Sequence, residues 1–143
     1  MIFCQINNKL VEILKKYAGS RIIVDVGCGD GLLGSMCKDV ISIDFIPRDT
    51  ALIDDILHMD ATYFPFNKSL LPVFIRPCHG YFVNGVMTAH KHKVDNFIYV
   101  SMPHNLERDI DLDEFNAEQV EEWVGEDGER VYLVTVKEHK LNG

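Results

Sequence analysis

At 143 residues, 47% hydrophobic and 25% charged, the chain has the composition of an ordinary globular protein and the length of one domain, which excludes a catalytic domain joined to a separate substrate domain. Its formal net charge of −8 disfavours unassisted binding to a polyanion; a small molecule, a protein, or a nucleic acid presented by a basic partner fits better. The four cysteines, Cys4, Cys28, Cys37 and Cys78, make no C-x-x-C pair or zinc spacing, the first residues do not read as a signal peptide, and no apolar run approaches the roughly 20 residues of a membrane span, so the chain reads as cytoplasmic, with reduced thiols and no resident metal.

Residues 6–17 place Ile6, Leu10, Ile13, Leu14 and Tyr17 on one helical face, with Asn7 or Asn8 as cap, Lys15 and Lys16 near the C-terminus, and Gly19 closing the helix. Residues 21–24 form a short apolar run rich in β-branched side chains, the pattern of a buried parallel strand. It runs into Asp25-Val26-Gly27-Cys28-Gly29-Asp30-Gly31, after which Leu32, Leu33 and Met36 open a helix with room for about two turns before Lys38. Strand, glycine turn and helix make the phosphate- or nucleoside-binding corner of a doubly wound α/β fold.

Glycine spacing decides which kind of corner this is. A dinucleotide fingerprint, G-x-G-x-x-G, counted from Gly27 needs glycine where Leu32 stands, which argues against a nucleotide-binding oxidoreductase. Asp25-x-Gly27-x-Gly29-x-Gly31 instead resembles motif I of the class I S-adenosylmethionine (SAM)-dependent methyltransferases. The resemblance implies that Asp25 balances the cationic amino group of SAM while Gly27 and Gly29 let the backbone approach its amino-acid part, with Cys28 and Gly31 also in the cofactor-binding turn.

Residues 40–44 read as the second strand, with Asp44 at its C-terminal end, 15 positions beyond Gly29. Nucleoside-binding α/β folds place an acid about 20 residues on, where it accepts hydrogen bonds from the ribose; the shorter interval fits the short helix. Asp44 is the candidate ribose ligand, and Phe45 and Ile46 line the adenine face. Residues 47–51 are breaker-rich, so the next crossover helix is vestigial, and residues 54–59 form a weak third strand. Asp60-Ala61-Thr62-Tyr63-Phe64-Pro65-Phe66 then resembles the segment after the third strand of many class I methyltransferases, which implies that Asp60, with Ala61 beside it, meets the adenine amino group.

Residues 70–75 read as the fourth strand, and Arg76-Pro77-Cys78-His79-Gly80 follows at its carboxyl end, where ligands of such folds bind. Arg76, Cys78 and His79 are the catalytic candidates: His79 as a general base with an ordinary pKa of about 6.5, or Cys78 as a nucleophile whose thiolate Arg76 and His79 stabilise. The Pro77-Cys78 pair is similar to that of the cytosine-C5 methyltransferases, whose cysteine attacks the pyrimidine ring. Length, acidic charge and the lack of a Glu-Asn-Val motif stand against that reading, as does the lack of an (N/D)-P-P-(Y/F) motif against an amino-directed nucleic-acid methyltransferase. A rigid turn whose Arg76 or His79 merely packs is the plainer alternative.

Residues 81–93 return as a helix weakened by Gly85, with His90 and His92 on different sides and therefore no metal pair. Residues 96–101 are a clear fifth strand. Beyond it, residues 109–122 hold a helix with Leu112, Phe115, Gln119 and Trp123 at helical spacing, or else residues 119–124 pair with 130–137 as a hairpin. The methyltransferase resemblance, which spans about residues 6–136, implies the hairpin. It implies an α/β, doubly wound, mostly parallel sheet over residues 1–143, SAM as cofactor, and methyl transfer to an O, N or C nucleophile of an unidentified acceptor. The rival is a catalytically silent SAM-fold scaffold partnered with another protein.

Overall fold

The computed structural model describes residues 6–121 and 125–138; Cys4 and Trp123 lie outside them. Helix α1 (Asn8–Ala18) starts where the Asn7 side chain accepts the Leu10 N–H at 2.9 Å and ends where the Gly19 N–H, at φ 60°, returns to the Lys15 carbonyl. Leu10, Val11, Ile13, Leu14 and Ala18 form its buried face. Strand β1 (Ile22–Val26) leads through the glycine turn into α2 (Leu32–Met36), which is shorter than the spacing predicts because Cys37 is already extended. Strand β2 (Ile41–Ile43) follows a reversal at Asp39, whose φ is 67°.

The predicted third strand is reduced to one parallel bridge between Leu57 and Ile43. The segment buries little: Ile56 is enclosed, whereas Asp54, Asp55, Leu57 and His58 are exposed, so it has too little apolar surface to extend the sheet. The crossover is vestigial as expected, with a single 3₁₀ turn at Ala61–Tyr63. Strand β3 (Leu70–Ile75), helix α3 (Phe82–His90) and strand β4 (Phe97–Ser101) come next, then a 3₁₀ turn at Pro103–Asn105 and the one-turn helix α4 (Leu106–Asp109).

Strand β5 (Phe115–Glu121) pairs antiparallel with β6 (Arg130–Val136), so the hairpin, not the helix, forms after Asp109. Phe115 and Ala117 turn to the core while Asn116 and Glu118 face solvent, a period of two that overrides the helical spacing of Leu112, Phe115 and Gln119. The pairing begins four residues before the hairpin predicted from 119.

The six-stranded sheet runs β2-β1-β3-β4-β6-β5, parallel from β2 to β4 and antiparallel from β4 to β5. Alternate strand residues feed two cores. Ile23, Leu71, Val73, Ile98 and Val100 meet α1 and Leu33 of α2 on one face. Val24, Val26, Phe74, Phe97 and Tyr99 meet Val83, Val86 and Met87 of α3 on the other. Because β1 to β4 are parallel, Asp25, Asp44, Arg76 and Ser101 all arrive at the same edge of the sheet. Among the described residues no helix is long and apolar enough to cross a membrane.

Candidate functional site

The glycine turn is fixed to β2 from below: the N–H groups of Gly27 and Cys28 both donate to the Ile43 carbonyl, at 2.8 and 2.9 Å. Packing explains two of its glycines. A Cβ at Gly27 would stand 3.1 Å from Phe82 Cε1, and one at Gly31 would stand 2.7 Å from Ile53 Cγ1, with φ at 77° and 84°. Gly29 differs, because open space faces it. The middle glycine is therefore the place where a ligand can come close to bare backbone.

Two acids, Asp44 and Asp25, meet at that opening, and Asp60 follows on the next turn. Asp44 accepts the Gly29 N–H at 2.8 Å through Oδ2 and the Ile46 N–H at 3.0 Å through Oδ1. Each oxygen keeps a second acceptor site, which suits hydroxyl donors. Asp25, at 3% exposure, is pushed up to about 7, first by burial and then by the nearby Asp44 charge. A carboxyl so placed stabilises any cation brought beside it. Burial, Asp25 and Asp44 together push the Cys28 thiol up to about 12, so it lines the turn as a neutral group. One Asp60 oxygen caps Thr62 N–H at 2.9 Å while the residue stays exposed. Ala61 is buried beside it, and Phe45 is 72% exposed at the end of β2. The buried His90 donates from Nε2 to the Thr62 carbonyl at 2.7 Å and so ties α3 to the turn that carries Asp60.

The segment after β3 holds the three catalytic candidates in different settings. Arg76, at φ 41°, is occupied: its Nη1 meets Asp127 at 3.0 Å and the buried Glu129 at 3.4 Å. Cys78 and His79 are exposed on the loop. What the sequence reading missed is a network behind that loop. Arg108 grips Asp109 with Nε at 2.6 Å and Nη2 at 3.0 Å, Tyr99 donates its hydroxyl to the same carboxylate, and Nη2 also reaches the Pro77 carbonyl at 3.3 Å. Asp109 is fully buried, and burial with this hydrogen bond holds the Tyr99 hydroxyl well above the usual phenol range. An open hollow beside α4 is lined by Asn84, Glu107 and residues 110–113. Among the described residues no cluster of His, Cys, Asp or Glu is arranged to hold a metal.

No protein-family model matches the chain, and no curated protein matches it. Solved structures do. The chain is similar to the 23S rRNA methyltransferase ErmE, with a TM-score of 0.62 and 16% identity, covering 99% of this chain and 73% of that one. It is similar to a variant of MtNAS in complex with S-adenosylmethionine, with a TM-score of 0.60, 16% identity, and coverage of 91% and 61%. It is also similar to the magnesium protoporphyrin IX methyltransferase ChlM from Synechocystis with bound SAM, with a TM-score of 0.55, 10% identity, and coverage of 91% and 77%. At these identities the likeness is one of fold: the chain has the Rossmann-like architecture of class I SAM-dependent methyltransferases.

Proposed function

We propose that residues 1–143 form one SAM-binding domain that transfers a methyl group to an acceptor nucleophile. The observation that carries this reading is the hydrogen bond from Gly29 N–H to Asp44, which draws the acid at the end of β2 onto the open middle of the glycine turn. The donor set fits the cofactor: a buried carboxyl for an ammonium, a half-occupied carboxylate for vicinal hydroxyls, and an exposed acid next to exposed aromatic surface for an amino-purine.

When bound, SAM supplies an electrophilic methyl group on a sulfonium. The chain's own part is placement. Asp25 neutralises the amino group, Gly27, Cys28, Gly29 and Gly31 shape the turn against the methionine part, Asp44 takes the ribose hydroxyls, and Asp60 with Ala61 and Phe45 receives the adenine. Such alignment of donor and acceptor is itself a large source of rate. His79, exposed on the loop after β3, is the candidate to take the acceptor's proton. Cys78 would serve as a nucleophile only beside a cation; Arg108 is near enough to interact with it electrostatically, whereas Arg76 is occupied by Asp127 and Glu129.

That occupation favours a second reading, a catalytically silent SAM-binding subunit with a protein partner. Titration calorimetry with SAM and S-adenosylhomocysteine tests both. Failure to bind either ligand overturns the SAM site, and binding without methyl transfer to any component of a cell extract selects the silent subunit.

A further inference from the structure

Arg108 is a surface arginine with a buried anchor. Of the N–H donors in its rigid fork, Nε and one proton of Nη2 are taken by Asp109, and the second Nη2 proton by the Pro77 carbonyl. Nη1 has no partner among the described residues, and the side chain is 47% exposed while its carboxylate partner is at 0%. Asp109 is in turn held by the Tyr99 hydroxyl. The guanidinium is therefore fixed from behind and open in front. Asp109 and Tyr99 act as positioning residues, and a fixed fork loses less freedom on meeting a ligand than a mobile side chain does.

Its position in the fold connects it with the glycine turn. Arg108 Cγ lies 2.9 Å from where a Cβ at Gly80 would stand, so the loop after β3 passes directly beneath the arginine stem. Two residues further on, the Phe82 ring stands 3.1 Å from the Cβ position at Gly27. The short run from Pro77 to Phe82 thus joins Arg108 to the turn, along the edge where β3 and β4 end. Arg76, at this same end of the sheet, is held by two acids.

We infer that Nη1 of Arg108 binds a single oxyanion, a carboxylate or a phosphate monoester, carried by a small-molecule methyl acceptor. The word acceptor rests on the methyl-transfer reading, whereas the anion site stands on the arginine network alone. With Nε and Nη2 on Asp109 and the Pro77 carbonyl, the two Nη1 protons are left to meet an oxyanion oxygen. A net charge of −8 with no basic stripe disfavours a polynucleotide as the source of the anion.

The test is NMR of the whole chain labelled with ¹⁵N-arginine, titrated at constant ionic strength with inorganic phosphate and, separately, with acetate. The Arg108 side-chain signal is identified by its loss in Arg108→Lys. Expected is a saturable shift of that signal, with a Kd on the order of 1–10 mM, absent at Arg48 and Arg76. Saturation with phosphate alone selects a phosphate monoester, and saturation with acetate as well selects oxyanions generally. In a uniformly ¹⁵N-labelled sample the Gly80 amide should report the same event, at least about tenfold weaker in Arg108→Lys. No shift, a linear drift shared by Arg48 and Arg76, or a Gly80 response unchanged in the variant overturns the site. Saturation by a short single-stranded RNA at concentrations about a hundredfold below phosphate overturns the small-molecule acceptor. S-adenosylhomocysteine binding, measured on the same samples, separates the two claims. Binding without an Arg108 response sinks the anion site alone, and an Arg108 response without binding sinks the SAM reading alone.

Discussion

The Asp44 carboxylate accepts the backbone N–H of Gly29 at 2.8 Å, so the acid that ends β2 and the middle glycine of the turn form one unit although 15 positions separate them. Asp44→Ala removes both this bond and the one to Ile46. Hydrogen bonds to a charged group are worth about 1.5–3 kcal/mol each, so S-adenosylhomocysteine affinity should fall at least about tenfold by calorimetry. Undiminished affinity removes Asp44 from the ribose role.

Asp25 makes stability depend on pH. Burial and then Asp44 raise its folded pKa from 3.8 to about 7. Between those values the folded protein keeps a proton that the unfolded chain has released, so this group's contribution to stability falls as pH rises and levels off above about 7. The full swing is on the order of 4 kcal/mol. Urea midpoints measured across that window should show a steeper decline for the wild type than for Asp25→Asn. Parallel profiles would show that Asp25 is already ionised at low pH.

The same carboxyl ties cofactor binding to protons. An ammonium placed beside Asp25 favours its charged form, so SAM binding near pH 7 should release a fraction of a proton, and affinity should rise with pH through the folded value of about 7. Calorimetry in buffers of different ionisation enthalpy measures that release directly. It should vanish in Asp25→Asn; release of the same size in the variant places the proton elsewhere.

Gly31→Ala separates strain from crowding. At φ 84° an alanine is strained by about 1–2 kcal/mol, and its Cβ would sit 2.7 Å from Ile53 Cγ1, an overlap costing about 1–3 kcal/mol more. Denaturant unfolding should show the sum for the single variant. In the Ile53→Ala background, Gly31→Ala should cost only the strain. An equal cost in both backgrounds would show that Ile53 yields freely.

Arg76→Ala should act on stability rather than on the cofactor. It leaves the 1% exposed Glu129 without its cation, a loss of about 3–5 kcal/mol. Replacing both residues with methionine should recover most of that loss, read from urea midpoints. S-adenosylhomocysteine affinity of the folded fraction should stay within about twofold of wild type; a large drop would give Arg76 a place in the site after all.

The glycine corner was legible in the sequence because its information is local. Asp25 to Gly31 is contiguous, and Asp44 and Asp60 follow in chain order at intervals that a short α2 and a vestigial crossover allow. The network behind the loop after β3 depends on long-range packing. Arg108 and Asp109 are sequence neighbours, and nothing in their letters says that one is enclosed against Tyr99 while the other is half exposed. Residues 109–121 were ambiguous for another reason: Leu112, Phe115 and Gln119 satisfy a helical period, whereas Phe115, Ala117 and Gln119 satisfy a strand, and pairing with β6 decided between them. The third strand failed because residues 54–59 bury little beyond Ile56.

That single Leu57 bridge leaves β2 as a lightly buttressed margin, and the glycine turn hangs from its last carbonyl, Ile43. Local opening is cheapest where few apolar contacts hold a segment. Amide hydrogens of Cys28, Gly29 and Leu57 should therefore exchange faster than those of β3 and β4 in the ligand-free protein. A ligand spanning Asp25, Asp44 and Asp60 would stitch this margin to the interior, so binding would register as slowed exchange along one border of the sheet while the centre stays unchanged.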